Sequence, residues 1–145
     1  MSIEDNCIFC RIIRGEIPAA KIYEDDKVYA FLDIAPFNFG HALVIPKVHC
    51  QSFTIVPEEY LSAMMEAAKR IAPAVMHATG APAFNLLLNN GSIAGQEVPH
   101  THLHIIPRFV DDAVLLSAPQ KQYQEGGINV LAEAICKRLE ETTLK

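Results

Sequence analysis

The chain has 145 residues and a formal net charge of −5, with half of its residues apolar and a fifth charged. That size suits one compact domain with a full core, so residues 1–145 are expected to form a single domain. The acidic balance argues against a polynucleotide partner, and no run approaches the roughly 20 apolar residues that span a bilayer.

The acidic opening Met1-Ser2-Ile3-Glu4-Asp5-Asn6 lacks the basic and apolar regions of a secretion signal, so a cytoplasmic location is expected. Cys7–Arg14 carries apolar Ile8, Ile12 and Ile13 and is followed by Gly15, which reads as a short helix with a glycine stop. Lys21–Glu24 and Val28–Leu32 are strand candidates joined by a turn at Asp25-Asp26, and Ala35–Gly40 is a loop. Ala42–Ile45, closed by Pro46, reads as a buried strand. Pro57-Glu58-Glu59 opens a long amphipathic helix that Gly80 ends. Leu61, Met64, Met65, Ala68, Ile71, Ala72, Val75 and Met76 supply its apolar stripe, with the Met pair expected in the core. Pro73 is expected to kink that helix or end its regular part. Phe84–Leu88 reads as a strand, Asn89–Gln96 as a polar loop, and the stretch from His100 to about Pro107 as another strand. Residues 111–127 show no period, and 128–141 reads as a terminal amphipathic helix. This order points to an α+β fold with a largely antiparallel sheet.

His100-Thr101-His102-Leu103-His104-Ile105-Ile106 carries the strongest chemical signal. On a strand, alternate residues share a face. Three imidazoles would then line up at intervals of roughly 6–7 Å, with Leu103 and Ile105 turned into a core. Histidine attacks, shuttles protons and binds metals near neutral pH, so nucleophilic catalysis and a metal site both stay open.

Of the four cysteines, Cys50 and Cys136 stand alone and are expected to be buried as small hydrophobes. Cys7 and Cys10 form a C-x-x-C pair, which is either redox-active, incidental or half of a metal site. With His49 and His100 available, two thiolates and two imidazoles would make a closed tetrahedral zinc site. Gly91 and Gly95 let the loop before the histidines expose backbone N–H groups, as a plain hairpin loop or as a phosphate cradle. Asp33 is either a solvated acid or an acceptor for a ribose diol.

Taken together, the blocks Cys7–Ile13, Gly15–Pro18, His41–Lys47, Gly95-Gln96 and His100–Arg108 resemble the histidine triad family, over roughly residues 7–109. The resemblance is closest to zinc-binding, bacterial-type members with a terminal helix. It implies a five-stranded antiparallel sheet with one long helix, a short N-terminal helix and a C-terminal helix, and usually a homodimer. It implies hydrolysis or nucleotidyl transfer at the α-phosphate of a purine nucleoside phosphate derivative. By motif position His102 is the nucleophile that carries the nucleotide, His104 contacts phosphate and leaving group, and His41 supports the triad by hydrogen bonding. Asp33 would bind the ribose, Ile34 would line the base pocket, and Asn89 and Gln96 would contact ribose or phosphate. Cys7, Cys10, His49 and His100 would hold structural zinc. Glu97 departs from the phosphoramidase-type branch, which carries a small hydroxyl residue there, and this weighs against phosphoramidate as the preferred substrate.

Three readings follow: a nucleotide hydrolase or transferase, a nucleotide-binding interaction protein with incidental turnover, and an enzyme that uses the triad as metal ligands. Neutral imidazole is a competent nucleophile near pH 7, and His104, Gln96 and loop N–H groups are candidate donors for the charge that develops at phosphorus.

Overall fold

Residues 4–143 are described by the computed structural model. The chain divides into two compact units, one running through Val114 and one beginning at Leu115.

The first unit is built on one antiparallel sheet. Its strands are β1 (Lys21–Glu24), β2 (Val28–Leu32), β3 (Ala42–Pro46), β4 (Ala83–Leu87) and β5 (Leu103–Arg108), in the order β1-β2-β3-β5-β4. Alternation within the strands sorts side chains onto two faces. Val28, Ala30, Ala42, Val44, Leu103 and Ile105 meet the long helix α2 (Glu58–Thr79), whose Met64, Ala67, Ala68, Ile71, Ala72 and Val75 are buried against them. Phe31, Leu43 and Ile45 form the opposite face and pack on the short helix α1 (Ile8–Ile13) through Phe9, Cys10 and Ile12. The five-stranded antiparallel α+β architecture matches the expectation.

The details of α2 depart from it. The helix runs unbroken through Pro73, whose ring is exposed, as is Lys69 one turn earlier. The carbonyl left without its N–H partner therefore lies on the wet side, where water can satisfy it. Met64 is buried, but its neighbour Met65 is 54% exposed, because adjacent helical residues stand about 100° apart and only one faces the sheet. Gly80 closes the helix in the left-handed region at φ 74°. Gly40 is needed for a different reason. It has φ 97°, and a Cβ there would meet Thr79 Cγ2 at 2.6 Å.

The histidine stretch is also corrected. Only its second half is strand, since β5 begins at Leu103. Pro99 has no N–H to give a ladder. Thr101 is drawn aside, because both its N–H and its hydroxyl donate to the Cys50 carbonyl, at 2.7 and 2.9 Å. The three histidines therefore do not share one strand face.

The second unit contains α3 (Gly127–Thr143). Its Ile128, Leu131, Ile135 and Leu139 are exposed, and so is Cys136, against the expected burial. Among the described residues no helix is long and apolar enough to cross a membrane.

Candidate functional site

Four hydrogen bonds decide what each histidine can do. A backbone carbonyl only accepts, so an imidazole nitrogen beside one must carry the proton. His102 Nδ1–H donates to the His100 carbonyl at 2.7 Å. A neutral His102 therefore keeps a bare lone pair on Nε2. His100 Nε2–H donates to the Pro46 carbonyl at 2.9 Å, which leaves its Nδ1 bare. At His41 the logic runs in reverse. The Phe37 backbone N–H donates to His41 Nδ1 at 3.1 Å, so the ring proton sits on Nε2. That Nε2–H donates to His104 Nδ1 at 2.9 Å, and the proton of neutral His104 is thereby placed on its own Nε2.

The sheet sets up this last pair. His104 lies opposite Leu43 on β3 and Leu87 on β4, and cross-strand partners share a face, so His104 stands on the side of the sheet that α2 does not cover. His41 enters just before β3, beside it. The rings of His102 and His104 meet at 4.9 Å. Phe9 from α1 sets its edge against both His100 and His102, at 5.8 and 5.2 Å between ring centroids.

All four rings are held neutral. Burial is the main cause at each, lowering the pKa of His41 and His102 and pushing His100 and His104 down to about 4. Neighbouring histidines add to the effect at His104, while the carboxylates of Asp33 and Glu97 oppose it at His102. Neutrality is what the hydrogen bonds require, because a protonated His41 could not accept from Phe37.

His41, His102 and His104 line a cleft of about 520 Å³, within the range of small-molecule sites. Asp33, Ile34 and Asn89 also line it, and Ile34 is 98% exposed at its rim. Asp33 accepts from the Ala35 N–H through one oxygen, and its other oxygen lies 3.8 Å from His41 Nε2. Gln96 has a different place. Its amide donates to the carbonyls of Gln51 and Val98 and accepts from the Gly91 N–H, so it braces the loop and does not line the cleft. The N–H groups of Ala94, Gly95 and Gln96 are likewise spent inside that loop. A second cavity of about 530 Å³, between α2 and the β1–β2 side, holds no histidine.

Cys7, Cys10, His49 and His100 come together as the spacing allowed, with their ligand atoms all within 4.8 Å of one another. Cys7 caps α1 and Cys10 lies one turn on, so both thiols emerge on one side. The set fits a tetrahedral metal. Both imidazoles turn Nδ1 inward, His100 toward Cys7 Sγ at 3.4 Å and His49 toward Cys10 Sγ at 3.5 Å. Both turn Nε2 outward, His100 to the Pro46 carbonyl and His49 to the Glu4 carboxylate at 3.4 Å, the outer contacts that orient metal-binding histidines. Burial pushes the Cys10 thiol up to about 11. His100 thus belongs to this cluster and His104 to the cleft, so the triad does not converge on one metal ion.

Sequence reasoning missed the Phe37 N–H and what holds it. Asn38 donates to the Pro107 carbonyl at 2.8 Å and to Asp112 at 3.0 Å, and Asp112 is itself paired to Arg108 at 2.8 Å. This tether fixes the 35–40 loop to the strand that carries His104. Nothing in the local sequence signals a bond across 69 positions.

The chain matches the HIT domain profile over residues 14–111. An adenylylsulfatase of Arabidopsis thaliana is 43% identical over 122 residues, 84% of this chain and 62% of that protein. An adenosine 5'-monophosphoramidase of Saccharomyces cerevisiae is 48% identical over 107 residues, 74% of this chain and 65% of that protein. The chain spans less than two thirds of the length of each. Among solved structures, a HIT family protein from Bacillus subtilis superposes with a TM-score of 0.86 at 39% identity, covering 92% of this chain and 97% of that one. A Zn-bound histidine triad family protein from Mycobacterium smegmatis gives 0.71 at 37% identity, covering 94% and 97%.

The neutral cluster makes stability depend on pH. Above about 6.5 folded and unfolded chains both hold a neutral His104; between 6.5 and about 4 only the unfolded chain binds the proton. Stability must therefore fall as pH falls through that window. Melting temperature should drop between about pH 7 and pH 5, and His104→Gln should flatten the slope. An unchanged slope in the variant would assign the dependence to other groups.

Proposed function

The chain belongs to the HIT family, and we propose that it hydrolyses a purine nucleoside phosphate derivative at the α-phosphorus through a nucleotidyl group carried on His102. The observation that carries this reading is the bare Nε2 of His102, left by the bond from Nδ1–H to the His100 carbonyl in a cleft of nucleotide size. The activities named for the plant and yeast relatives, adenylylsulfatase and adenosine 5'-monophosphoramidase, support the choice of nucleotide and of reacting phosphate.

In the first step the His102 Nε2 lone pair forms a bond to phosphorus while the bond to the leaving group breaks. The leaving atom keeps the electron pair and takes up one proton. Water then attacks the same phosphorus, the P–N bond returns its pair to His102, and the nucleoside monophosphate departs with one proton released. His104, its proton placed on Nε2 by His41, donates to the phosphate oxygens where charge develops. Asp33 accepts from the ribose hydroxyls, Ile34 covers the base, and Asn89 reaches ribose or phosphate. Gln96 acts by holding the loop that carries Asn89 and Glu97.

His102→Ala should abolish turnover, by on the order of 10³-fold or more, with nucleotide binding largely kept. Acid-quenched mass spectrometry during turnover of an adenosine phosphoramidate should find the adduct on His102. An adduct on another residue, or a fully active His102→Ala protein, refutes the assignment.

Cys7, Cys10, His49 and His100 hold zinc in this reading, in the cytoplasm, where such thiols stay reduced. Zinc there supplies a structural cross-link between α1, the segment after β3 and the approach to β5. Elemental analysis of protein purified without added metal should give about one zinc per chain, and Cys7→Ser should cost stability. Zinc well below one equivalent, with both thiols freely alkylated in the native state, would argue against it.

We also infer a homodimer. The apolar face of α2 does not support it, since the chain's own sheet covers that face. Support comes instead from the sheet edge β4, whose Phe84 and Leu86 are 38% and 42% exposed, and from the apolar stripe of α3. Light scattering at micromolar concentration should give twice the chain mass of 16.0 kDa. A monomer mass would rule this out.

A further inference from the structure

Among the described residues, the cleft lining holds no lysine or arginine. That is unusual chemistry for a site that attacks phosphate, where guanidinium and ammonium groups commonly neutralise the oxygens. Its charged lining residues are both acids, Asp33 and Glu97. Its histidines are neutral, so the only compensation it offers an anion comes from uncharged donors.

The two acids differ in their ties. Asp33 is engaged by the Ala35 N–H and sits beside His41. Glu97 is exposed and makes no hydrogen bond or ion pair with the other described residues. It follows the loop that Gln96 braces, lies on the same lining as His102 and His104, and its field reaches His102. A carboxylate cannot stand in for a hydroxyl donor, which weighs against phosphoramidates of uncharged amines and leaves charge as the contribution of Glu97.

We propose that Glu97 selects the leaving group by charge, admitting nucleoside phosphate derivatives whose leaving group is a cationic amine and disfavouring sulfate, carboxylate-bearing and polyphosphate leaving groups. This rests on the α-phosphate reading of the site. A phosphoramidate monoanion places one negative charge among neutral donors. In this proposal the leaving group departs past Glu97, so each further negative charge on it meets an unpaired carboxylate and no cation among the lining residues. A positive charge on the leaving side meets an open partner.

The test compares three adenosine 5'-phosphoramidates of equal length, whose amines end in an ammonium, a methyl and a carboxylate. The readout is the ratio of kcat/KM values within one protein, not any single rate. The wild type should prefer the cationic over the neutral substrate by roughly three- to fivefold, the range an exposed ion pair supplies. It should prefer the cationic over the anionic substrate by roughly tenfold or more. Glu97→Gln should bring these ratios close to one and Glu97→Lys should invert them. In the wild type, raising the salt concentration should shrink them, since exposed charges are screened. Ratios near one in the wild type, ratios unchanged in Glu97→Gln, or ratios insensitive to salt overturn the charge selection alone. Failure to turn over any of the three, with no nucleotidyl adduct on His102, overturns the reading of the site and this inference with it.

Discussion

A neutral imidazole has one proton for two nitrogens, and the site depends on where the protein puts it. The His100 carbonyl holds the His102 proton on Nδ1. Had a donor stood in that place, Nε2 would carry the proton and could not attack. The same residue faces the thiols with its side chain, so one stretch of backbone serves the Cys/His cluster and His102 together. Anything that rotates the His100 peptide changes the tautomer of its neighbour. The cross-link proposed at Cys7, Cys10, His49 and His100 would in that way help keep His102 reactive without touching substrate.

His104 is fixed from the other side. Its proton position is set at His41, and that of His41 is set by a backbone N–H in the 35–40 loop. The near-parallel stacking of Phe37 on His41, at 5.4 Å and 10°, keeps the imidazole in plane for both bonds. The Asn38 tether then fastens this loop to the end of β5. A relay of this kind works only if no ring in it is charged, and burial between sheet, α1 and loop enforces that condition. Acid strength and packing are here the same constraint.

The cleft has therefore been built from neutral donors and two carboxylates. Neutral donors hold a monoanion by short-range hydrogen bonds and exert little long-range pull on it. The charge selection proposed at Glu97 would follow a different logic from sites that grip polyphosphate with cations or metal ions.

Residue type and spacing alone revealed a good deal of this. The apolar run of 42–45 closed by Pro46, the strand candidate 28–32 beside its Asp25-Asp26 turn, and the helical stripe of 61–76 specify strands and helix, because each pattern matches one local geometry. The C-x-x-C pair on a short helix places two thiols together for the same reason, and the residue types pointed to the histidines, to Asp33 and to the cluster of Cys7, Cys10, His49 and His100. Tertiary structure decided the rest. Whether His100 and His102 belong to the strand depended on a carbonyl at Cys50, about fifty positions away. Whether Pro73 breaks its helix depended on which side of α2 meets water. Whether Gln96 meets phosphate or its own loop depended on the Gln51 carbonyl. Each is a competition between local preference and a partner distant in the chain. The tautomers are the plainest case, since a histidine's proton follows the atom opposite its ring, and only the fold brings that atom there.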